Sequence, residues 1–143
     1  MRRALLLALV LPLLVACGDD QDDYCAAVTD RQKELSELVS SGEPDAMIQA
    51  LDIFRDLQDQ APSDISDEWQ QVVGSVEALQ KALDDAGVDA ATYDRDTPPA
   101  GLSAARKKAI DAAATRLGGG ETLRALKDLD QQARDVCHTP LSL

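Results

Sequence analysis

Apolar residues in this chain recur at the three-and-four spacing of amphipathic helices, and no run alternates as a half-buried strand would. From about Asp22 to Ser40, the positions Tyr24, Cys25, Val28, Leu35, Leu38 and Val39 fall within about 140° of arc, which predicts a first helix. Ser41-Gly42 stops it. Glu43-Pro44-Asp45 restarts the chain with proline in a first turn, where its missing N–H costs little. A second helix is expected to run to about Gln60 on a stripe of Met47, Ala50, Leu51, Phe54, Leu57 and Ala61. Ile48 and Ile53 flank that stripe and widen the apolar face, so this helix is either central or leaves apolar surface for a partner. Ala61-Pro62 ends it, and Ser63 or Ser66 can cap the next.

The third helix has the clearest pattern, with Ile65, Trp69, Val72, Val73, Val76, Leu79, Leu83 and Ala86 on one face and Gly87 placed to terminate it. Trp69, the only tryptophan, lies on that stripe and reads as a core anchor rather than a ligand platform. Val88 to Gly101 reads as a long loop with one helical turn at Asp89–Tyr93, and Thr97-Pro98-Pro99 excludes a continued helix. Ser103 can cap a fourth helix to about Leu117, although Arg106 stands where a capping box would place an acid. Gly118-Gly119-Gly120 breaks it. A fifth helix follows from Glu121 to Cys137 with Leu123, Leu126, Leu129, Ala133, Val136 and Cys137 on its stripe. The fold class is therefore all-α, a helical bundle of four to five helices.

Ahead of the bundle, Met1-Arg2-Arg3 supplies positive charge and Ala4 to Leu14 an apolar run broken only by Pro12. That run is shorter than the roughly 20 residues a membrane span needs, but it suits the core of a secretory signal. Leu14-Val15-Ala16-Cys17, at its end, resembles the bacterial lipobox at all four positions. The resemblance implies a diacylglyceryl thioether on Cys17, cleavage just before it, and anchoring to membrane lipid by acyl chains of the palmitate kind. Two chains, at about 0.8 kcal/mol per buried methylene, hold stably where one does not. An ordinary signal peptide followed by an ordinary thiol is the plainer alternative, and Arg2-Arg3 also invites a twin-arginine reading. The division expected is a signal peptide over 1–16, a lipidated acidic tether over 17–23 and a helical bundle over 24–143. The location expected is the cell membrane, facing the extracytoplasmic side.

With Cys17 taken up by lipid, Cys25 and Cys137 remain, one near each end of the bundle. Outside the cytoplasm they should pair. A redox role would want close spacing and an electropositive setting, so the pair reads as a staple. Helices alternating strictly up and down would put these cysteines at opposite poles. One connection must then cross the length of the bundle, and Val88–Gly101 is the candidate for that long crossover loop. The same topology would bring Arg106 level with Asp130 as a structural ion pair. Charge narrows the partners further: with Arg2 and Arg3 removed, the net charge of −12 becomes −14, which repels phosphate backbones and argues against nucleic acid.

The search for chemistry finds little. Asp135 and His138 have a spacing that can place two ligands on one helix face, but a bundle metal site wants more carboxylates and a second histidine. Asp19, Asp20, Asp22 and Asp23 lack the glycine turn and terminal glutamate of a calcium loop. The glycine run at 118–120 follows a helix and lacks a phosphate loop's Lys-Ser/Thr, and no Gly-x-Ser-x-Gly occurs. No catalytic residue, metal ligand or cofactor is assigned, and the chain does not read as an enzyme.

Asp23-Tyr24-Cys25, Asp67-Glu68-Trp69, Ala91-Thr92-Tyr93-Asp94, Pro99-Ala100-Gly101-Leu102-Ser103 and Val136-Cys137 together resemble small uncharacterised, cysteine-paired helical lipoproteins of high-GC Gram-positive bacteria. The resemblance brings no activity with it. The function expected is a membrane-anchored, non-enzymatic binding module with an envelope protein as its partner. Its contacts would be the Tyr93–Leu102 loop, with Tyr93, Pro98 and Pro99, and apolar surface near Ile48 and Ile53. The alternative is a carrier of a small apolar ligand held between helices, which requires a cavity.

Overall fold

The computed structural model describes residues 19–143, and the leader, Cys17 and Gly18 lie outside them. Six helical segments follow in order: α1 Asp19–Ser40, α2 Ala46–Gln49, α3 Leu51–Gln60, α4 Ser66–Ala86, α5 Ala104–Leu117 and α6 Gly120–Val136. Among the described residues there is no strand. The bundle expected from the periodicity is what forms. α1 begins at Asp19, so the acidic residues Asp20, Asp22 and Asp23 lie in its opening turns, near the positive end of the helix dipole, rather than in a separate spacer. The expected second helix is broken at Ala50 into the single turn α2 and the longer α3.

α4 is the spine of the molecule. It buries Trp69, Val72, Val73, Ser75, Val76 and Leu83, the three-and-four spacing of one helix face. Gly87 ends it at φ +68°, with the Val88 N–H donating to the Leu83 carbonyl at 3.0 Å and the Gly87 N–H to Asp84 at 2.9 Å. That paired termination needs a left-handed residue, which a side chain disfavours. Around the start of α4 the core is solid. Trp69, Tyr24, Phe54, Leu57, Leu129 and Leu141 are all fully enclosed. The Trp69 Nε1–H donates to the Tyr24 hydroxyl at 3.2 Å, and the Phe54 and Trp69 rings lie 6.0 Å apart at 44°. Burying the indole with its N–H satisfied keeps its large apolar gain without the cost of an unpaired donor.

The Cys25–Cys137 disulfide is formed, with the Cα atoms 4.9 Å apart. The route that brings the two ends together differs from the expected one. The Thr122 hydroxyl donates to the Arg116 carbonyl at 2.9 Å, and its oxygen lies 3.1 Å from the buried Ser75 hydroxyl. Gln71 Nε2 donates to both, at 3.0 and 3.2 Å. The end of α5 therefore sits beside the middle of α4, while Arg106, near its start, shares a shallow groove with Lys81, Ala82 and Asp85. α5 thus descends along the C-terminal half of α4, and α6 continues down the N-terminal half toward Cys25. The connection from Gly87 to Ser103 leaves and returns at the same pole and crosses nothing. Gly118–Gly120 is a step within one descending arm, not a reversal. A Cβ on Gly119 would meet the Arg116 carbonyl oxygen at 3.0 Å, so a side chain there would crowd the end of α5.

Two local expectations fall with the crossover. Arg106 and Asp130 do not pair: Arg106 is exposed near the far end of α4. Asp130 Oδ2 accepts from Arg134 at 2.8 Å, and Asp130 Oδ1 accepts the backbone N–H groups of Leu141 and Ser142 at 2.9 and 3.1 Å. The carboxylate standing beside an apolar stripe is there to hold the C-terminal tail, whose Leu141 plugs the core. The stripe of α6 is also rotated from the expected one. Thr122, Ala125, Leu129 and Ala133 face inward, while Leu123 is 55% exposed and Val136 36%.

Candidate functional site

The pole opposite the disulfide is built differently. α5 is rich in alanine, and only Ile110 on it is fully buried. Its Ala109 and Ala113 lie along α4 near Ala78 and Ala82, small against small. Ser103 caps it: its hydroxyl accepts from the Arg106 N–H at 3.3 Å in spite of the missing acid. Above this pair the connection from Gly87 to Ser103 forms a cap with no regular helix; the one turn expected at Asp89–Tyr93 is present as a single hydrogen-bonded turn, the Thr92 N–H donating to the Asp89 carbonyl at 3.3 Å.

The cap is fastened by two clasps of the same Asp-x-x-Thr kind. Asp89 Oδ1 accepts from the Ala91 and Thr92 N–H groups at 2.9 and 3.1 Å and from the Thr92 hydroxyl at 3.2 Å. Asp94 accepts from the Asp96 N–H at 2.8 Å and from the Thr97 hydroxyl at 2.6 Å. These are side-chain-to-backbone turns, which order a loop without a core beneath it. The Thr97 hydroxyl and then the Asp96 N–H hold the Asp94 carboxyl below the ordinary carboxylate range. A third tie joins cap to helix: Asp111 on α5 accepts from Lys107 Nζ at 3.0 Å and has Arg95 Nε 3.0 Å from its Oδ1. Lys107, through its hydrogen bond, is the main reason the Asp111 carboxyl is also held low, and Arg95 adds to it.

Cap, α2, α4 and α5 enclose a half-open apolar cleft of about 160 Å³. Pro44, Ile48, Leu79, Leu83, Ile110 and Ala114 line it on the helix side, and Ala90, Tyr93, Arg95 and Asp111 close it. Two polar atoms in this lining are enclosed yet lack a well-formed hydrogen bond: the Tyr93 hydroxyl and Asp111 Oδ1, whose Arg95 contact is too bent to satisfy it. A buried hydroxyl without a partner costs about 1–3 kcal/mol, so it usually marks a place where something else supplies the bond.

Of the residues singled out from the sequence as partner contacts, the structure brings Ile48 and Tyr93 together in this cleft. Pro98 is half-buried and Pro99 exposed on the cap. Ile53 does not belong with them: only 4% exposed, it is core, because α3 is central enough to be covered on its wide face. Arg95, Asp111 and Ile110 were not singled out at all. The doubled Asp-x-x-Thr spacing was the one signal in the sequence that could have marked the cap as ordered.

Elsewhere, His138 is exposed just past α6 at φ +55°, and Asp135 is occupied by Gln131 at 2.8 Å. Asp20, Asp23 and Asp59 gather beside the start of α1. Among the described residues no three His, Cys, Asp or Glu side chains stand close enough to hold a metal ion, and no helix is long and apolar enough to cross a membrane. The chain matches no family model, no curated protein and no solved structure.

Proposed function

We propose that this protein is a non-enzymatic binding module, held by acyl chains on Cys17 at the outer face of the cytoplasmic membrane, with the cap as its contact surface. The observation that carries this reading is the cap itself. A long connection that need not cross the bundle is nevertheless ordered by three side-chain ties, and long ordered loops in compact domains are typically functional. The formed disulfide supports an oxidising compartment. The cap also lies at the pole opposite Asp19, so an anchor on Cys17 would display it away from the lipid.

The test has two arms. A Cys17→Ser variant should appear in the culture medium rather than the membrane fraction, and mass spectrometry of the wild-type N-terminus should find the acylated cysteine. A photo-crosslinking residue introduced at position 99 in living cells should trap a discrete envelope protein, while the same residue at position 123 should not. Equal trapping at both positions, or none at position 99, overturns the cap as the contact surface.

A further inference from the structure

We infer that the cleft under the cap is a binding site for a small, uncharged, hydroxyl-bearing ring compound of phenol or benzyl alcohol type. The inference rests on the binding-module reading and gives that module a ligand class. Size comes first. Apolar cavities of about 150 Å³ lined by aliphatic side chains accept benzene-sized molecules, and the cleft is about 160 Å³, so the ligand is a single ring and not a lipid or a peptide side chain with its backbone. The lining of Pro44, Ile48, Leu79, Leu83, Ile110 and Ala114 offers aliphatic contact to such a ring.

Charge decides the polar group. Asp111 is ionised at neutral pH and already compensated by Lys107 and Arg95, so the site has no unmatched negative charge to draw an ammonium ion. A carboxylate is disfavoured in turn, because it would have to enter beside Asp111 on a chain whose net charge is −12. An uncharged hydroxyl fits the one enclosed group with no partner at all: it can bond the Tyr93 hydroxyl beside an Asp111 already matched by Arg95 and Lys107. Pro44 and Ile48 line the cleft from the α2 side and Ala90 and Tyr93 from the cap, and the cleft is half-open, so a single ring can enter between them.

The test is titration of the full protein with phenol, benzyl alcohol, toluene, benzylammonium and benzoate, followed by methyl and amide NMR shifts. Phenol and benzyl alcohol should give saturable shifts confined to Ile48, Leu83, Tyr93 and Ile110. Toluene, the ammonium compound and the carboxylate should each bind at least several-fold more weakly. Tyr93→Phe should abolish the preference for phenol over toluene while leaving toluene binding intact, a readout that unfolding would not mimic. Equal binding of toluene and phenol to the wild type, or shifts spread over the whole surface, overturns the inference. So does absence of any saturable shift, which would mean that water alone fills the cleft. Each of these results leaves the crosslinking at position 99 unaffected.

Discussion

The two poles of this bundle are held by different forces. Around Trp69 the chain is fastened by burial: aromatic and branched side chains are fully enclosed, Leu141 is drawn in from the tail, and a disulfide joins the first helix to the end of the last. Around Tyr93 it is fastened by polar clasps and small-residue contact, with Ile110 the one fully buried side chain of α5. One pole carries stability, and the other carries a surface that can accommodate a visitor. Binding sites are drawn from the low-stability end of a structure because a site must open. α4 lets both coexist, since one helix packs α6 on its first half and α5 on its second.

The comparison can be broken at its strongest point. Replacing Cys25 and Cys137 by alanine should cost about 4–5 kcal/mol from loop-closure entropy alone, given a separation of 112 residues, read as a shift in the urea midpoint. Trp69→Ala should cost about 3–5 kcal/mol, whereas Ile110→Ala at the other pole should cost near the low end of the roughly 2–5 kcal/mol seen for aliphatic truncations. Equal losses would erase the distinction between the poles.

The poles should also fail at opposite ends of the pH scale. Burial pushes the Tyr24 hydroxyl up from 10.0 to about 12, partly offset by the Trp69 hydrogen bond. Folding favours its neutral form, so that stabilisation is complete below pH 10 and drains as pH rises toward 12, by about 2–3 kcal/mol in all. Asp94 and Asp111 are shifted the other way, so the cap's share is complete above about pH 4 and is lost as pH falls through their lowered values. Hydrogen exchange should show the cap and α5 opening first in acid, and near-ultraviolet dichroism should show the Trp69 pole loosening first in alkali. The smallest effect is expected at Leu123, where exposure of 55% predicts that Leu123→Ser changes stability by no more than about 0.5 kcal/mol. A larger loss there would mean that this face is covered in solution.

Much of the fold could be read from local pattern because each helix carries its own signals. Gly87 stops α4 by a left-handed termination, Ser103 caps α5, and Trp69 lies on a stripe that could only face inward. What failed was direction. A glycine run announces a break but not its angle. Whether α6 turns back or steps onward is decided by how α4 is shared, through Gln71, Ser75 and Thr122, and no stretch of sequence contains all three. Asp130 misled for a related reason: besides Arg134, four residues on, it holds backbone groups eleven and twelve residues away, and those leave no charge pattern to find. The cleft was out of reach because an unpaired hydroxyl is a property of the packed state, whereas Tyr93 and Ile48 were visible as apolar residues in want of neighbours.

α1 begins at Asp19, two positions after Cys17, and continues for 22 residues. A chain acylated at Cys17 would have a leash of at most about 7 Å before meeting a rod of about 33 Å. Such a molecule cannot drift as a ball on a string. It would pivot on a short foot, its receptive end never farther from the bilayer than the length of the rod, and a partner would have to meet it inside that radius.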